Sequence, residues 1–444
     1  MNNILKIAII FSIIMVFTLL SGCVSDTTSS DVTIEHRVAD TEKGSEVEQP
    51  GELSEGVNSV KSTPWEESGD DSATFLTYYT EGIDLSRRGL YADAVAAFTS
   101  SISANASFTE AYFQRGLANY HLGYVYTYEG KEPKYFELAR QDFATVIQRD
   151  PSNNEALAMK GWANYWIGFY YSDRIYVKNS TISSYFEEGI DDCTRALAID
   201  SRNTNALNCR AANYLYRVQG HHVVVADPTY IERAKSDIDA SLRINSTNPW
   251  AYYLLGRYYT TRGGETLALD AFEEAIRLEP DEAWFYLYGG ITADHTDNKQ
   301  KSFDYTKKAI ELQPRFAAAY NNLALMSSDK QPDYEARLTG YEKAIEIDPR
   351  AACYRNYAIS LWNFKNWDKQ TQEQVLNLLD KALELDPSDY EVHGDKALIL
   401  IYMNRYEESA REISKFKQHA RTNEDIEWAA RIELYNGMKP WYFT

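Results

Sequence analysis

Few side chains in this 444-residue chain stand at spacings that support chemistry. The four cysteines, Cys23, Cys193, Cys209 and Cys353, form no CxxC pair and no metal-ligand spacing. His221 and His222 are adjacent, but their neighbours are Gly220 and Val223-Val224-Val225, with no cysteine near. No metal is therefore expected. No HExxH, GxSxG or P-loop occurs. The acid pairs Asp191-Asp192 and Glu273-Glu274 fit solvated helix faces better than a general acid and base. Catalysis is not expected, nor any cofactor. A Cys193–Cys209 disulfide stays open at this level, since sequence does not give a Cα separation. Asn105, Asn179 and Asn245 head N-x-Ser/Thr sequons and are candidate glycosylation acceptors, with Asn179 the best placed.

Charge narrows the partners. Lys plus Arg number 45 against 65 for Asp plus Glu, a net charge of −20. Such a chain suits neither nucleic-acid phosphate nor an anionic lipid surface. No nucleic acid is expected. Aromatics make up 14 % of the residues, 34 of them tyrosine.

The elements that position these residues are helices at one recurring spacing. From Pro249 to Pro280, Tyr252, Leu255, Gly256 and Tyr259 stripe one helix, Gly263-Gly264 breaks it, and Ala268, Phe272 and Ala275 stripe a second. Small residues at Gly256 and Ala268 let two helices approach closely. Gly256, Gly290, Ala324 and Ala358 are each 34 residues apart, as are Gly82 and Gly116. Proline stops recur at Asp150-Pro151, Glu279-Pro280, Gln313-Pro314, Asp348-Pro349 and Asp386-Pro387. This pattern resembles the tetratricopeptide repeat, a helix-turn-helix unit of about 34 residues. The resemblance implies an all-α fold. That fold is an α-solenoid of about nine helix pairs over residues 72–420, closed by a C-terminal capping helix and tail over 421–444. In the ninth pair Phe416 stands where a small residue is expected. Cys193 stands where the family places a bulky core residue, which makes it a buried thiol. Some family members grip a peptide carboxylate with Lys, Arg and Asn on first helices. Asn321 and Asn322 are present, but matching Lys and Arg are missing from adjacent units.

The spacings also locate insertions. From second-helix to next first-helix landmark the gap stays at 22, as from Ala94 to Gly116 and from Ala234 to Gly256. Within a pair the gap is usually 12. It is 23, 28 and 23 in Gly116–Ala139, Gly161–Gly189 and Ala211–Ala234. Three consecutive pairs therefore have extended internal turns, at about 121–136, 166–186 and 215–231, which stacking places on one edge. That crest carries Tyr124, Tyr126, Tyr128, Phe169, Tyr170, Tyr171, Tyr176 and Tyr216, followed by Tyr230. Two readings are open. Either the first helices run two or three turns longer and the rings brace one another, or the rings form an exposed surface for a protein partner or a sugar.

At the N-terminus, one lysine and the 14-residue apolar run Ile7–Leu20 precede Leu20-Ser21-Gly22-Cys23. A run this short fits a signal peptide, residues 1–22, better than a spanning helix. The four residues resemble the lipobox of exported prokaryotic lipoproteins. The resemblance implies cleavage before Cys23, a lipid on its thiol, and a mature chain held to the membrane outside the cytoplasm. Residues 23–71 read as a flexible acidic tether: Val24–Asp71 holds 13 acids against three Lys/Arg and one aromatic, Trp65. The expected function is a lipid-anchored scaffold for protein–protein interaction or assembly at the cell surface, similar to lipoproteins of this repeat type that help build pili, secretion machines or exopolysaccharide export. The rival is a surface glycan- or solute-binding lipoprotein that uses the crest rings.

Overall fold

The signals at Pro249–Pro280 act as their chemistry requires. Asn248 caps the helix that follows, its side chain accepting from the Ala251 N–H at 3.3 Å, with Pro249 at the first turn where a missing N–H is harmless. Gly263, at φ +70°, takes the left-handed conformation that ends it. The residues before the proline stops are extended: Asp150, Glu279, Gln313 and Asp386 all have φ between −130° and −140° and ψ near 90°.

A computed structural model of the protein describes residues 71–437, apart from 132, 173–178, 220–228, 327–333, 365–367, 388 and 420–422. The signal peptide and nearly all of the tether, with Cys23, lie outside the described residues, as do Tyr176, His221 and His222. Among the described residues every regular element is a helix, and consecutive helices form nine pairs. In chain order these are α1 (Asp71–Arg87) with α2 (Tyr91–Ala104), α3 (Thr109–Thr127) with α4 (Lys134–Arg149), and α5 (Asn154–Ser172) with α6 (Asn179–Ile199). Next come α7 (Thr204–Gln219) with α8 (Thr229–Ile244), α9 (Pro249–Thr261) with α10 (Glu265–Leu278), and α11 (Ala283–His295) with α12 (Lys299–Leu312). Last are α13 (Ala317–Met326) with α14 (Tyr334–Ile347), α15 (Ala351–Phe364) with α16 (Lys369–Leu385), and α17 (Tyr390–Tyr402) with α18 (Tyr406–His419). A single helix, α19 (Asn423–Gly437), closes the array. The fold is an α-solenoid.

Within a pair, a glycine on the first helix receives a ring from the second. A Cβ built on Gly256 would lie 2.6 Å from the Phe272 ring, and one on Gly116 would lie 2.8 Å from Phe143. Where a serine takes the small position of the second helix, its hydroxyl is satisfied across the contact. Ser302 donates to the Gly290 carbonyl at 2.6 Å and Ser409 to that of Ala397 at 3.0 Å. The third pair departs from this rule. Beside Gly161 the ring is replaced by two sulfurs, Cys193 of α6 and Cys209 of α7, at 2.6 and 2.8 Å from a built Cβ. Both are fully buried and bonded to each other, with Cα atoms 6.5 Å apart. Cys193 is therefore not a free thiol. The second sulfur supplies volume that a phenylalanine fills elsewhere.

Phe416, the unexpectedly large residue of α18, is fully buried against Trp428 of α19 at 4.9 Å between ring centroids. Trp428 also packs over Gly394 of α17. The small-residue position widens because a single helix, not a further pair, seats there.

Two outcomes follow from this packing. Replacing Gly256 by Trp should destabilise the chain by about 1–3 kcal/mol or more. Hydrogen exchange should rise first in α9 and its neighbours; uniform loss from α1 to α19 would contradict nearest-neighbour stacking. Replacing Cys209 by Ala, or reducing the bond, should lower the unfolding free energy by about 3 kcal/mol for a loop of this length. Equal denaturant midpoints with and without reductant would contradict the bond.

Candidate functional site: an aromatic closure across the inner face

In the second and third pairs most of the inserted residues lengthen helices. Helices α3, α5 and α7 have 19, 19 and 16 residues, against 13 in α9 and α11. An α-helix rises about 1.5 Å per residue, so α3 reaches roughly 9 Å further than α9. That reach carries its C-terminal rings across the inner face to helices more than 150 positions later in the chain.

Tyr128, directly after α3, is the tip of this hook. It is 4 % exposed. Its hydroxyl donates to Glu282 Oε1 at 2.9 Å, and its carbonyl accepts from the Ala317 N–H at 3.2 Å. Its ring stacks on Trp284, centroids 5.7 Å apart, and meets Phe316 edge-on at 4.9 Å. The next residue, Glu129, takes Lys131 at 2.9 Å and Arg315 at 3.1 Å. Burial raises the Glu129 carboxyl, but the two cations outweigh it and hold the group below its ordinary range. Glu282 is raised by its burial, only partly offset by the N–H of Trp284 and the Tyr128 hydroxyl. Burial pushes the Tyr128 hydroxyl far up, so it stays a donor at any physiological pH.

The structure gives each described crest ring a packing partner. Tyr124 meets Trp166 at 5.3 Å and Trp250 at 6.2 Å. Phe169 packs on Tyr216 at 5.3 Å and on Trp284 at 5.7 Å. Tyr216 is 9 % exposed, and its hydroxyl is 3.1 Å from that of Ser172. Tyr128, Phe169 and Tyr216 therefore do not form a solvent-facing surface; they join one core running from Tyr128 to Ala319. Tyr171 and Tyr230 also pack against this core, whereas Tyr126 and Tyr170 lie outside it. Tyr126 stacks on Tyr135 at 5.2 Å with Lys131 over its ring, and Tyr170 and Tyr171 lie edge-to-face at 5.2 Å. Tyr171 continues to Tyr185, and Tyr230 to Tyr214. All four are half-buried or nearly so. The open concave groove expected of a repeat array is, between the second and seventh pairs, filled by the protein's own rings.

Two sequons form turns. Asn105 and Asn245 accept from the N–H and hydroxyl of Ser107 and Thr247, the residues two positions on. Asn179 opens α6, and its side chain lies outside the described residues. The residues that sequence reasoning passed over are Arg257, Glu282, Trp284 and Phe316. The one available signal was an arginine set beside Gly256 inside an aromatic helix.

The closure predicts a graded series. Tyr128→Phe leaves Glu282 short of one donor and should cost about 1–3 kcal/mol. Tyr128→Ala should cost about 3–5 kcal/mol and expose the Ala317 amide to hydrogen exchange. An unchanged thermal midpoint with Ala317 still protected would show that the closure does not stabilise the array.

Comparison with known proteins agrees with this architecture. Family models described as tetratricopeptide repeat match residues 79–124 and 251–282. The photosystem I assembly protein Ycf3 of Cyanophora paradoxa is 32 % identical over 138 residues, covering 29 % of this chain and 79 % of that one. DnaJ homolog subfamily C member 3 of Gallus gallus is 20 % identical over 361 residues, 80 % of this chain and 61 % of that relative. Among solved structures, yeast Tom70 aligns at 13 % identity over 83 % of this chain and 97 % of its own, with a TM-score of 0.42.

Proposed function

The chain belongs to the tetratricopeptide-repeat family, and from that premise we propose that it is an exported, lipid-anchored scaffold. It binds another polypeptide and helps assemble a complex at the membrane face, outside the cytoplasm. The observation that carries the reading is the array of nine stacked pairs. In such an array the fold consumes only the small and ring positions at helix contacts, so the remaining side chains are free to vary for recognition. The relative Ycf3 is a photosystem I assembly protein, which supports the same reading. The anchor rests on Leu20-Ser21-Gly22-Cys23 behind its 14-residue apolar run. With the inner face of the second to seventh pairs filled, we place the contact at the crest edge, on the half-buried rings of Tyr126 and Tyr170. Aromatic anchors of this kind contribute about 2 kcal/mol or more each to an interface.

Mild cross-linking in membranes, followed by purification of the full chain, should recover a discrete polypeptide partner. Tyr126→Ala and Tyr170→Ala should each weaken its capture and leave the thermal midpoint in place; loss of midpoint with capture intact would make these rings braces only. Cys23→Ala should release the chain from membranes, and a variant that stays bound and is cleaved at the same point would overturn the lipid anchor.

A further inference from the structure

Beneath the Tyr128 hook lies a cavity of about 270 Å³. Its walls come from six helices, α3, α5, α7, α9, α11 and α13, and from the approach to α15, so it depends on α3 reaching across. Phe169, Tyr216, Trp284 and Tyr288 present rings around it, and the charged residues lining it, among the described residues, are Arg257 and Arg350, the latter ion-paired with the buried Asp348. Arg257 is 8 % exposed and fixed in place: its guanidinium donates to the Tyr253 hydroxyl at 3.1 Å and lies 4.4 Å from the centroid of Tyr288. Trp284 is 5 % exposed, and its indole N–H has no hydrogen-bond partner among the described residues. A buried donor left in that state costs free energy unless something accepts from it.

These features specify a ligand class. A small-molecule site is concave, mostly apolar and supplied with a few polar groups that fix orientation. Flat walls of ring faces suit a flat ligand. A cavity of about 150 Å³ holds benzene, so this one has room for a two-ring body with a short arm. The Arg257 guanidinium favours an acceptor that is anionic, and a carboxylate matches the guanidinium fork.

We propose that this cavity binds a small planar organic anion, an aromatic carboxylate of one or two rings, with its ring among Trp284, Tyr288 and Phe169 and its carboxylate at Arg257. The ligand would touch the second, third, fourth, fifth and sixth pairs together. Occupancy therefore holds the closure shut, by the ordinary linkage of binding to the state that binds. The proposal does not depend on the scaffold reading, because ligand binding is expected without a protein partner.

The test uses the detergent-solubilised full chain and indole-3-acetate as the probe, with 3-methylindole as its neutral twin, read by calorimetry and by thermal midpoint. Indole-3-acetate should bind at one saturable site and raise the midpoint, and 3-methylindole should bind at least about tenfold more weakly, a difference of about 1.4 kcal/mol. Arg257→Gln should remove that preference. Should Arg257→Gln fail to fold, Ala318→Phe decides: it fills the cavity from a half-buried wall position and should abolish binding with helicity unchanged. Absence of binding at millimolar probe, equal affinity for the neutral twin, or full affinity in Ala318→Phe would each overturn the proposal. Tighter binding of the tripeptide Gly-Gly-Trp than of indole-3-acetate would overturn it in favour of a polypeptide terminus.

Discussion

The structure depends on the contact that Tyr128 makes with Glu282, a hydrogen bond between residues 154 positions apart. Stacked repeats ordinarily touch only their neighbours, and their stability is then a sum of unit and interface contributions. Here the 19-residue helix α3 delivers a ring, a hydroxyl and a backbone carbonyl to α11 and α13. The aromatic core becomes continuous from Tyr128 to Ala319, so the second to seventh pairs share one buried cluster. Ala324 and helices α14 to α17 form a second core, and α17 to α19 a third.

That closure changes what the inner face can do. An open array offers its concave side as a groove for an extended polypeptide. In this chain Trp166, Trp250, Trp284 and the rings delivered by α3, α5 and α7 occupy that space. What remains inside is a cavity of small-molecule size with the Arg257 guanidinium fixed on its wall, not a trough. On our proposal, recognition of a large partner falls to the edge where Tyr126 and Tyr170 sit. The same insertions thus build the hook and furnish that edge.

Packing inside the pairs follows from volume. A ring from one helix meets a hydrogen atom in place of a side chain on the other, at Gly116 and Gly256 alike. Interiors are close-packed, so a missing ring has to be replaced by something of similar bulk. At Gly161 the replacement is the Cys193–Cys209 bridge, which also ties the third pair to the fourth. At the end of the array the replacement runs the other way, with Phe416 filling space beside a lone helix.

The sequence by itself determined the nine pairs, their boundaries at the proline stops, the small-to-large contacts and the position of the three insertions. Each of these is local. Helix faces are written in spacings of three and four residues, and repeats in a period of 34, so both survive without knowledge of the fold. Only the tertiary structure decided where the inserted rings go, that two cysteines on adjacent pairs meet, and that Arg257 lines a cavity. Those outcomes depend on curvature, which accumulates from small rotations between successive pairs and is encoded at no single spacing. A tyrosine at position 128 is compatible with solvent or with a core until the position of Trp284, Phe316 and Glu282 is known.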